Sequence, residues 1–293
     1  MTNIKVIYKK SLYELYNQSA DPSVQEFMKT PRDMERLKRS HEAQQLTLEK
    51  VIKDLQQREI SPRVLYRAEL KPITNTDLVI TVGGDGTLLE VSHYIKDNTP
   101  ILGVNSNPES SVGYFSCATK DTFSSILDQL ENYTKCKLQR LQLTIDRQKI
   151  PELILNDLLI AHRNPAAMTR YEMKVDGNDI MNLKNEKSLR SSGLVVCTAA
   201  GSTAWMYEQG GIIMPLSSTQ IQYHERDQRN SPFSFANQSI YLRSITREGI
   251  IYIDGEHIKY PFALGTSLEL TLGIPLTIVG NLEEKRKKYP EKK

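Results

Sequence analysis

Thr76-Asp77-Leu78-Val79-Ile80-Thr81-Val82-Gly83-Gly84-Asp85-Gly86-Thr87-Leu88-Leu89-Glu90 is the stretch on which the reading of this chain turns. Its apolar, β-branched run from Leu78 to Val82 predicts a buried strand. A turn built from Gly83, Gly84 and Gly86 follows, and Thr87-Leu88-Leu89 resumes an apolar pattern at helical spacing. Glycines at three of four positions admit backbone angles that other residues resist and let a ligand approach the main chain. The free N–H groups at the start of the next helix suit a phosphate. Asp85 does not fit a loop that only holds phosphate, because its carboxylate repels one. Between glycines it is suited to take a proton from a hydroxyl, or to hold a metal, beside a bound nucleotide. The plain structural alternative is a Gly-Asp-Gly turn joining strand to helix.

Working outward, Ile4 to Tyr8 predicts a first strand and Arg63 to Glu69 a second. Between them lies a polar, charged region in which Leu48, Val51, Ile52 and Leu55 share one face of a helix spanning 33–58. A helix over 87–96, a short buried strand ending at Gly103-Val104-Asn105 and an apolar helical face within 121–132 come next. Strands alternating with helices predict a parallel sheet flanked by helices, with Asp85 and Asn105 at the carboxyl ends where ligands sit. The period then changes. Leu141, Leu143 and Ile145 alternate with polar residues, and so do Leu153–Ala161, Tyr171–Val175, Leu194–Thr198, Ile250–Asp254, Leu268–Leu272 and Leu276–Val279. These short strands predict a β-rich second domain, so the division is 1–137, 138–280 and a charged tail, 281–293. Residues 216–236 read as a long surface loop, and the basic run from Lys285 to Lys293 as a solvated end.

The 293 residues carry 39% hydrophobic and 25% charged side chains and a formal net charge of +3, which does not suggest a nucleic-acid binder. Three separated cysteines lack metal-ligand spacing, and no apolar run reaches membrane-spanning length, so a reduced, cytoplasmic setting is expected.

Two further segments carry chemistry. In Leu153-Ile154-Leu155-Asn156-Asp157-Leu158-Leu159-Ile160 a polar pair interrupts an apolar strand; its burial demands a polyhydroxy ligand, a β-bulge or an internal hydrogen-bond network. In Thr198-Ala199-Ala200-Gly201-Ser202-Thr203-Ala204-Trp205 small residues let a ring or ribose lie against the backbone, with Trp205 as a wall. The alternative there is ordinary helix capping by Ser202 or Thr203.

Taken together, Gly83-Gly84-Asp85-Gly86-Thr87, Asn156-Asp157 and the Thr198–Trp205 segment followed by Gly210-Gly211 resemble the NAD kinases. The likeness extends to Gly103-Val104-Asn105, Gly113-Tyr114 and Ile253-Asp254-Gly255. It implies an N-terminal α/β domain and a β-rich C-terminal domain with the active site in the cleft between them. It also implies transfer of the terminal phosphate of ATP to the 2′-hydroxyl of the adenosine ribose of NAD or NADH. On that likeness Asp85 is the general base, and Gly83, Gly84, Gly86 and Thr87 cradle the ATP phosphates with Mg²⁺. NAD(H) contacts are implied at Asn105, Tyr114, Asn156 and Asp157, and again at Ser192, Thr203, Ala204 and Asp254. A homodimer or homotetramer is implied, and neither nucleic acid nor membrane enters as a partner. The chain departs from the usual pattern by placing Ser192 where the family carries an aspartate, Asp157 for Glu and Trp205 for Tyr. The wording is closest to the plant NADH kinase and mitochondrial NAD kinase branch. Loss of a carboxylate beside the nicotinamide leads to the expectation that NADH is accepted as well as NAD. The glycine turn is shared with diacylglycerol-type lipid kinases, and a non-catalytic NAD(H) sensor would leave Asp85 without a task; these are the competing readings.

Overall fold

The apolar run Leu78–Val82 forms a strand, Leu78–Gly83, buried at every residue. The computed structural model describes residues 3–182, 184–227 and 233–288. The chain divides into two units: one runs to Cys136 and is taken up again from Thr277, and the other is Lys137–Leu276.

In the first unit the strands lie side by side in the order Arg63–Tyr66, Ile4–Tyr8, Leu78–Gly83, Ile101–Asn105, Leu276–Val279 and Lys135–Leu138, with Ser116–Thr119 pairing beside Ile101–Asn105. The pairings from Arg63–Tyr66 through to Leu276–Val279 are parallel. Register puts Tyr8 opposite both Tyr66 and Val82, and Gly83 opposite Asn105, so these strands finish in one row. Strand order reverses about Ile4–Tyr8, and in such sheets ligands bind outside the carboxyl ends at the reversal. The helix Pro31–Gln56 begins with a proline, whose missing N–H costs nothing in the first turn. It packs Leu48, Val51 and Leu55 onto Ile4, Val6 and Ile80.

Several boundaries differ from expectation. The second strand ends at Tyr66, and Arg67–Glu69 form a 3-10 turn. The helix expected over 87–96 is Asp85–Ser92, so Asp85 belongs to its first turn rather than to the loop before it. The face within 121–132 yields only the short helix Phe123–Asp128, and the strand Ser116–Thr119 was not anticipated.

The second unit is built from two antiparallel sheets. One runs Asn178–Asp179, Thr169–Val175, Ser239–Ser244, Ser267–Leu272, Leu141–Ile145, Gln148–Ile154, with Leu189–Ser191 beside Thr169–Val175; the other runs Ser234–Ala236, Ile221–Glu225, Leu194–Cys197, Asp157–His162, Glu248–Ile253, Ile258–Ala263. Leu143, Ile154, Tyr171, Leu242 and Leu270 of the first sheet share one core with Leu158, Ile160, Val196 and Ile251 of the second. Alternate side chains from two sheets filling a common interior is the sandwich arrangement.

Three sequence readings are corrected here. Leu153–Ala161 is not one strand: it breaks at Leu155-Asn156 and passes from one sheet to the other. Residues 216–236 are not a surface loop, since they contain the strands Ile221–Glu225 and Ser234–Ala236; residues 228–232 lie outside the described residues. The polar composition misled because Gln222 is fully buried, its amide exchanging hydrogen bonds of 2.8 and 2.9 Å with the Ile212 backbone. Leu276–Val279, grouped with the β-rich half by its alternation, joins the parallel sheet of the first unit instead. Among the described residues no helix is long and apolar enough to cross a membrane.

Candidate active site

Asp85 is fixed by the turn that precedes it and by a loop 29 residues away in sequence. Gly84 is the extended N-cap and Asp85 the first residue of the helix. The Gln44 amide holds the Val82 carbonyl at 3.1 Å, anchoring the strand end. A Cβ on Gly83 would run into the Thr87 side chain, whereas one on Gly84 or Gly86 would meet no atom within 4 Å. The last two glycines are therefore not demanded by packing within the chain. They face open space. Thr87 Oγ1, in the same turn, is buried with no hydrogen-bond partner among the described residues.

The two oxygens of the Asp85 carboxylate are held separately. Oδ2 accepts the Tyr114 N–H at 2.7 Å and Oδ1 the Phe115 N–H at 2.8 Å. Each oxygen keeps a further lone pair for a substrate proton. Burial pushes the Asp85 carboxyl above its ordinary range, while the Phe115 and Tyr114 N–H groups and the Lys285 charge pull it down. A carboxylate whose pKa is raised is, when ionised, a stronger proton acceptor than an ordinary aspartate. It is the Tyr114 backbone that meets Asp85. Asn105, at the carboxyl end of its strand, braces its own loop: Nδ2 donates to Ser111 O at 2.8 Å and Oδ1 accepts the Asn107 N–H at 3.1 Å.

Lys285 was missed. It lies in the run read as a solvated tail, but Leu282–Lys288 is a helix, and residues 289–293 lie outside the described residues. The Lys285 ammonium donates to Gly113 O and, at 2.5 Å, to Ser116 O. The loop 113–116 is thus gripped on both sides, its carbonyls by Lys285 and its N–H groups by Asp85.

In the second unit the polar pair is organised by Asp254. Its carboxylate accepts the N–H groups of Leu155 and Asn156, each at 2.8 Å, and of Asp157 at 3.0 Å. The Asp254 N–H returns to Asp157 O at 2.9 Å. This cradle breaks the strand, so of the structural alternatives the internal hydrogen-bond network is the one present. Burial, followed by the Asp157 charge, pushes the Asp254 carboxyl up to about 7 against the pull of the N–H donors. Thr198 joins the same cluster: its hydroxyl donates to Leu155 O at 2.5 Å and its N–H to Asn156 O at 3.0 Å. Gly201 packs flat on the Asn156 carbonyl, where a Cβ has no room. Asn156 Oδ1 is buried without a hydrogen-bond partner among the described residues. The structure therefore brings Asn156, Asp157, Asp254 and the Thr198–Ala204 turn together.

The capping alternative is not what Ser202 and Thr203 do. Neither caps a helix: Ser202 Oγ donates to Ala199 O and accepts the Met214 N–H, and Thr203 Oγ1 donates to Ala200 O at 3.4 Å. Trp205 begins a short helix with the Arg226 guanidinium 5.2 Å from its ring centroid. Ser192 does lack a carboxylate of its own, yet one stands against it, because its hydroxyl donates to Asp227 Oδ2. The premise that negative charge is missing there is corrected accordingly. Among the described residues no three His, Cys, Asp or Glu side chains cluster as metal ligands.

Residues 3–135 match the family model described as the ATP-NAD kinase N-terminal domain. A probable NADH kinase from Oryza sativa subsp. japonica is 34% identical over 233 residues, covering 70% of this chain and 71% of the rice protein. The NADH kinase of Arabidopsis thaliana is 32% identical over 231 residues, covering 70% and 73%. The crystal structure of an Archaeoglobus fulgidus NAD kinase with ATP superposes with a TM-score of 0.65 at 18% identity, covering 98% of this chain and 97% of that one. Yeast NADH kinase with NADH gives 0.67 at 15% identity, covering 98% and 86%. At those identities the two structures speak to the fold.

Proposed function

The chain belongs to the NAD kinase family, and we propose that Asp85 is the base of the reaction that follows from that membership: ATP-dependent phosphorylation of NAD or NADH. The 2′-oxygen of the adenosine ribose attacks the γ-phosphorus of ATP, the bond from that phosphorus to the β–γ bridging oxygen breaks, and ADP leaves with the electron pair. The hydroxyl proton passes to Asp85. The observation that carries this reading is the carboxylate clamp: Asp85 is held by two backbone N–H groups at 2.7 and 2.8 Å, with its pKa raised, at the end of a glycine turn open to solvent.

The open backbone of Gly84 and Gly86, with Gly83 and the orphaned Thr87 hydroxyl, serves the phosphates of ATP. A magnesium ion would be held by those phosphates rather than by a protein cage, and it neutralises their charge when bound. Asn156, through its unpartnered Oδ1, and Asp157 take the adenosine and ribose side of NAD(H). In the second unit Thr203 and Ala204 serve adenine and Ser192 with Asp227 the nicotinamide half; in the first unit Asn105 and Tyr114 are further NAD(H) contacts. Asp254 acts by shaping the backbone of Asn156-Asp157 rather than by touching substrate. The Lys137–Leu276 unit, in place of the 138–280 read from the sequence, is then the NAD(H)-binding half. A cytoplasmic homodimer or homotetramer is our reading of the assembly, and acceptance of NADH as well as NAD is read from the likeness to two plant NADH kinases, since Asp227 beside Ser192 removes the charge argument for it.

The test is Asp85→Asn. With the base removed, kcat should fall by roughly 10²–10⁴-fold while ATP and NAD still bind. NADP and NADPH production, measured from NAD and NADH in parallel, reads both points. Undiminished turnover in the variant sinks the base assignment, and strong wild-type discrimination against NADH sinks the dual range.

A further inference from the structure

The carboxyl edge of the parallel sheet holds a cation that the catalytic reading does not use. Because Tyr8 stands opposite both Tyr66 and Val82, the residues that follow are Lys9, just past the end of the first strand, Arg67, which opens the 3-10 turn, and Gly83, the last residue of its strand. They form one row at the point where strand order reverses. Ile4, Val6 and Tyr8 pack on the side of the long helix, and the Lys10 ammonium lies over the ring of Tyr66, the partner of Tyr8, which leaves the opposite side to Lys9 between them. Arg67 occupies that opposite face too, since its guanidinium pairs at 3.0 Å with Glu90 of the Asp85–Ser92 helix. Lys9 therefore sits beside the turn whose glycines look onto open space.

Its surroundings do not explain it. Lys9 is half-buried, and among the described residues its side chain has neither hydrogen bond nor ion pair. Its charged neighbour is Arg67, of like sign, and burial followed by that neighbour lowers its pKa. Lys10 next door is conventionally placed, 3.9 Å from Glu14 and 5.0 Å from the Tyr66 ring centroid. Sequestering an ammonium without an anion costs free energy, and among the described residues the Glu90 carboxylate nearby is engaged by Arg67 rather than by Lys9. An anion arriving at the Gly84–Gly86 side of the row would offset that cost.

We propose that Lys9, backed by Arg67, binds the phosphate chain of the donor nucleotide at the open side of the Gly83–Thr87 turn. This rests on the reading that ATP is held at that turn. It makes Lys9 a ligand-binding residue whose placement is unfavourable in the empty protein and favourable in the complex.

The full-length Lys9→Met and Lys9→Arg variants test it, with ATP and inorganic tripolyphosphate as probes. Without nucleotide, Lys9→Met should melt at or above the wild-type temperature. Its KM for ATP should rise by about tenfold or more while the KM for NAD or NADH stays within roughly twofold. The rise in melting temperature that ATP and tripolyphosphate give the wild type should vanish in Lys9→Met and largely survive in Lys9→Arg. A KM for ATP within twofold of wild type, phosphate-induced stabilisation retained in Lys9→Met, or a lower melting temperature with ATP affinity intact would each overturn the proposal. Asp85→Asn separates the two readings: if it stays active, the base assignment falls, while loss of phosphate binding in Lys9→Met still stands.

Discussion

Two aspartates in this chain do similar physical work with different consequences. Asp85 spreads its oxygens over the N–H groups of Tyr114 and Phe115 and stays beside open space. Asp254 spends its oxygens on three consecutive N–H groups, a geometry that sets the backbone of Asn156-Asp157. Its carboxyl is pushed up to about 7, chiefly by burial. An unfolded aspartate titrates near ~3.9, so between that value and about 7 the folded chain holds a proton the unfolded chain has released. The corresponding stability is complete below the unfolded pKa and is lost as pH climbs to the folded one. Asp254→Asn cannot titrate. Its melting temperature should be lower, and the gap to wild type should narrow from pH 4.5 to 7 and then stay constant. A gap that is flat over that range contradicts the assignment.

At the scale of elements, the C-terminal helix Leu282–Lys288 matters most, because Lys285 reaches the loop that holds Asp85. Its charge helps keep the Asp85 pKa down, so removing it should raise that pKa. A base must be ionised to work, so with Asp85 in the role proposed above the acid limb of the kcat–pH profile in Lys285→Met should move to higher pH. With the loop loosened, kcat should drop about tenfold while both KM values hold, and Lys285→Arg should recover part of the loss. An unshifted pH profile in Lys285→Met would show the lysine to be scaffolding alone. This helix also marks how far local pattern reaches. The Leu78–Gly83 strand, the glycine turn and the face of Pro31–Gln56 were legible because strand, turn and helix each follow from neighbours in sequence. Lys285 was not legible: Lys-Arg-Lys-Lys carries the same pattern whether it is solvated or, as here, has one member turned onto two carbonyls. The break at Leu155-Asn156 was hidden for a related reason, since the group that causes it, Asp254, lies about 100 residues further on. Asp227 against Ser192 is another such pairing, invisible to spacing and made only by the fold.

For the whole molecule, the consequential fact is that the chain leaves the parallel sheet, builds a sandwich and comes back. Leu276–Val279, buried throughout, is the neighbour of both Ile101–Asn105 and Lys135–Leu138. An alternating apolar tetrapeptide cannot announce which sheet it will join. The periodicity reading for that reason placed the boundary after it, at 280, whereas the contacts of the chain divide at Leu276. Strands internal to a parallel sheet need partners on both edges for their N–H and C=O groups, and a vacated slot leaves two rows unpaired. A fragment ending at Cys136 thus lacks the strand beside Ile101–Asn105 and keeps only the first half of Lys135–Leu138. The Lys137–Leu276 fragment keeps both antiparallel sheets and their shared core. Expressed separately, Lys137–Leu276 should unfold in one cooperative thermal transition, while the fragment ending at Cys136 should show no cooperative transition until a peptide covering 274–288 is supplied. Cooperative melting of the N-terminal fragment alone would mean that the returning strand decorates the sheet rather than completing it, and the Lys285 grip on the 113–116 loop would then lose its structural footing.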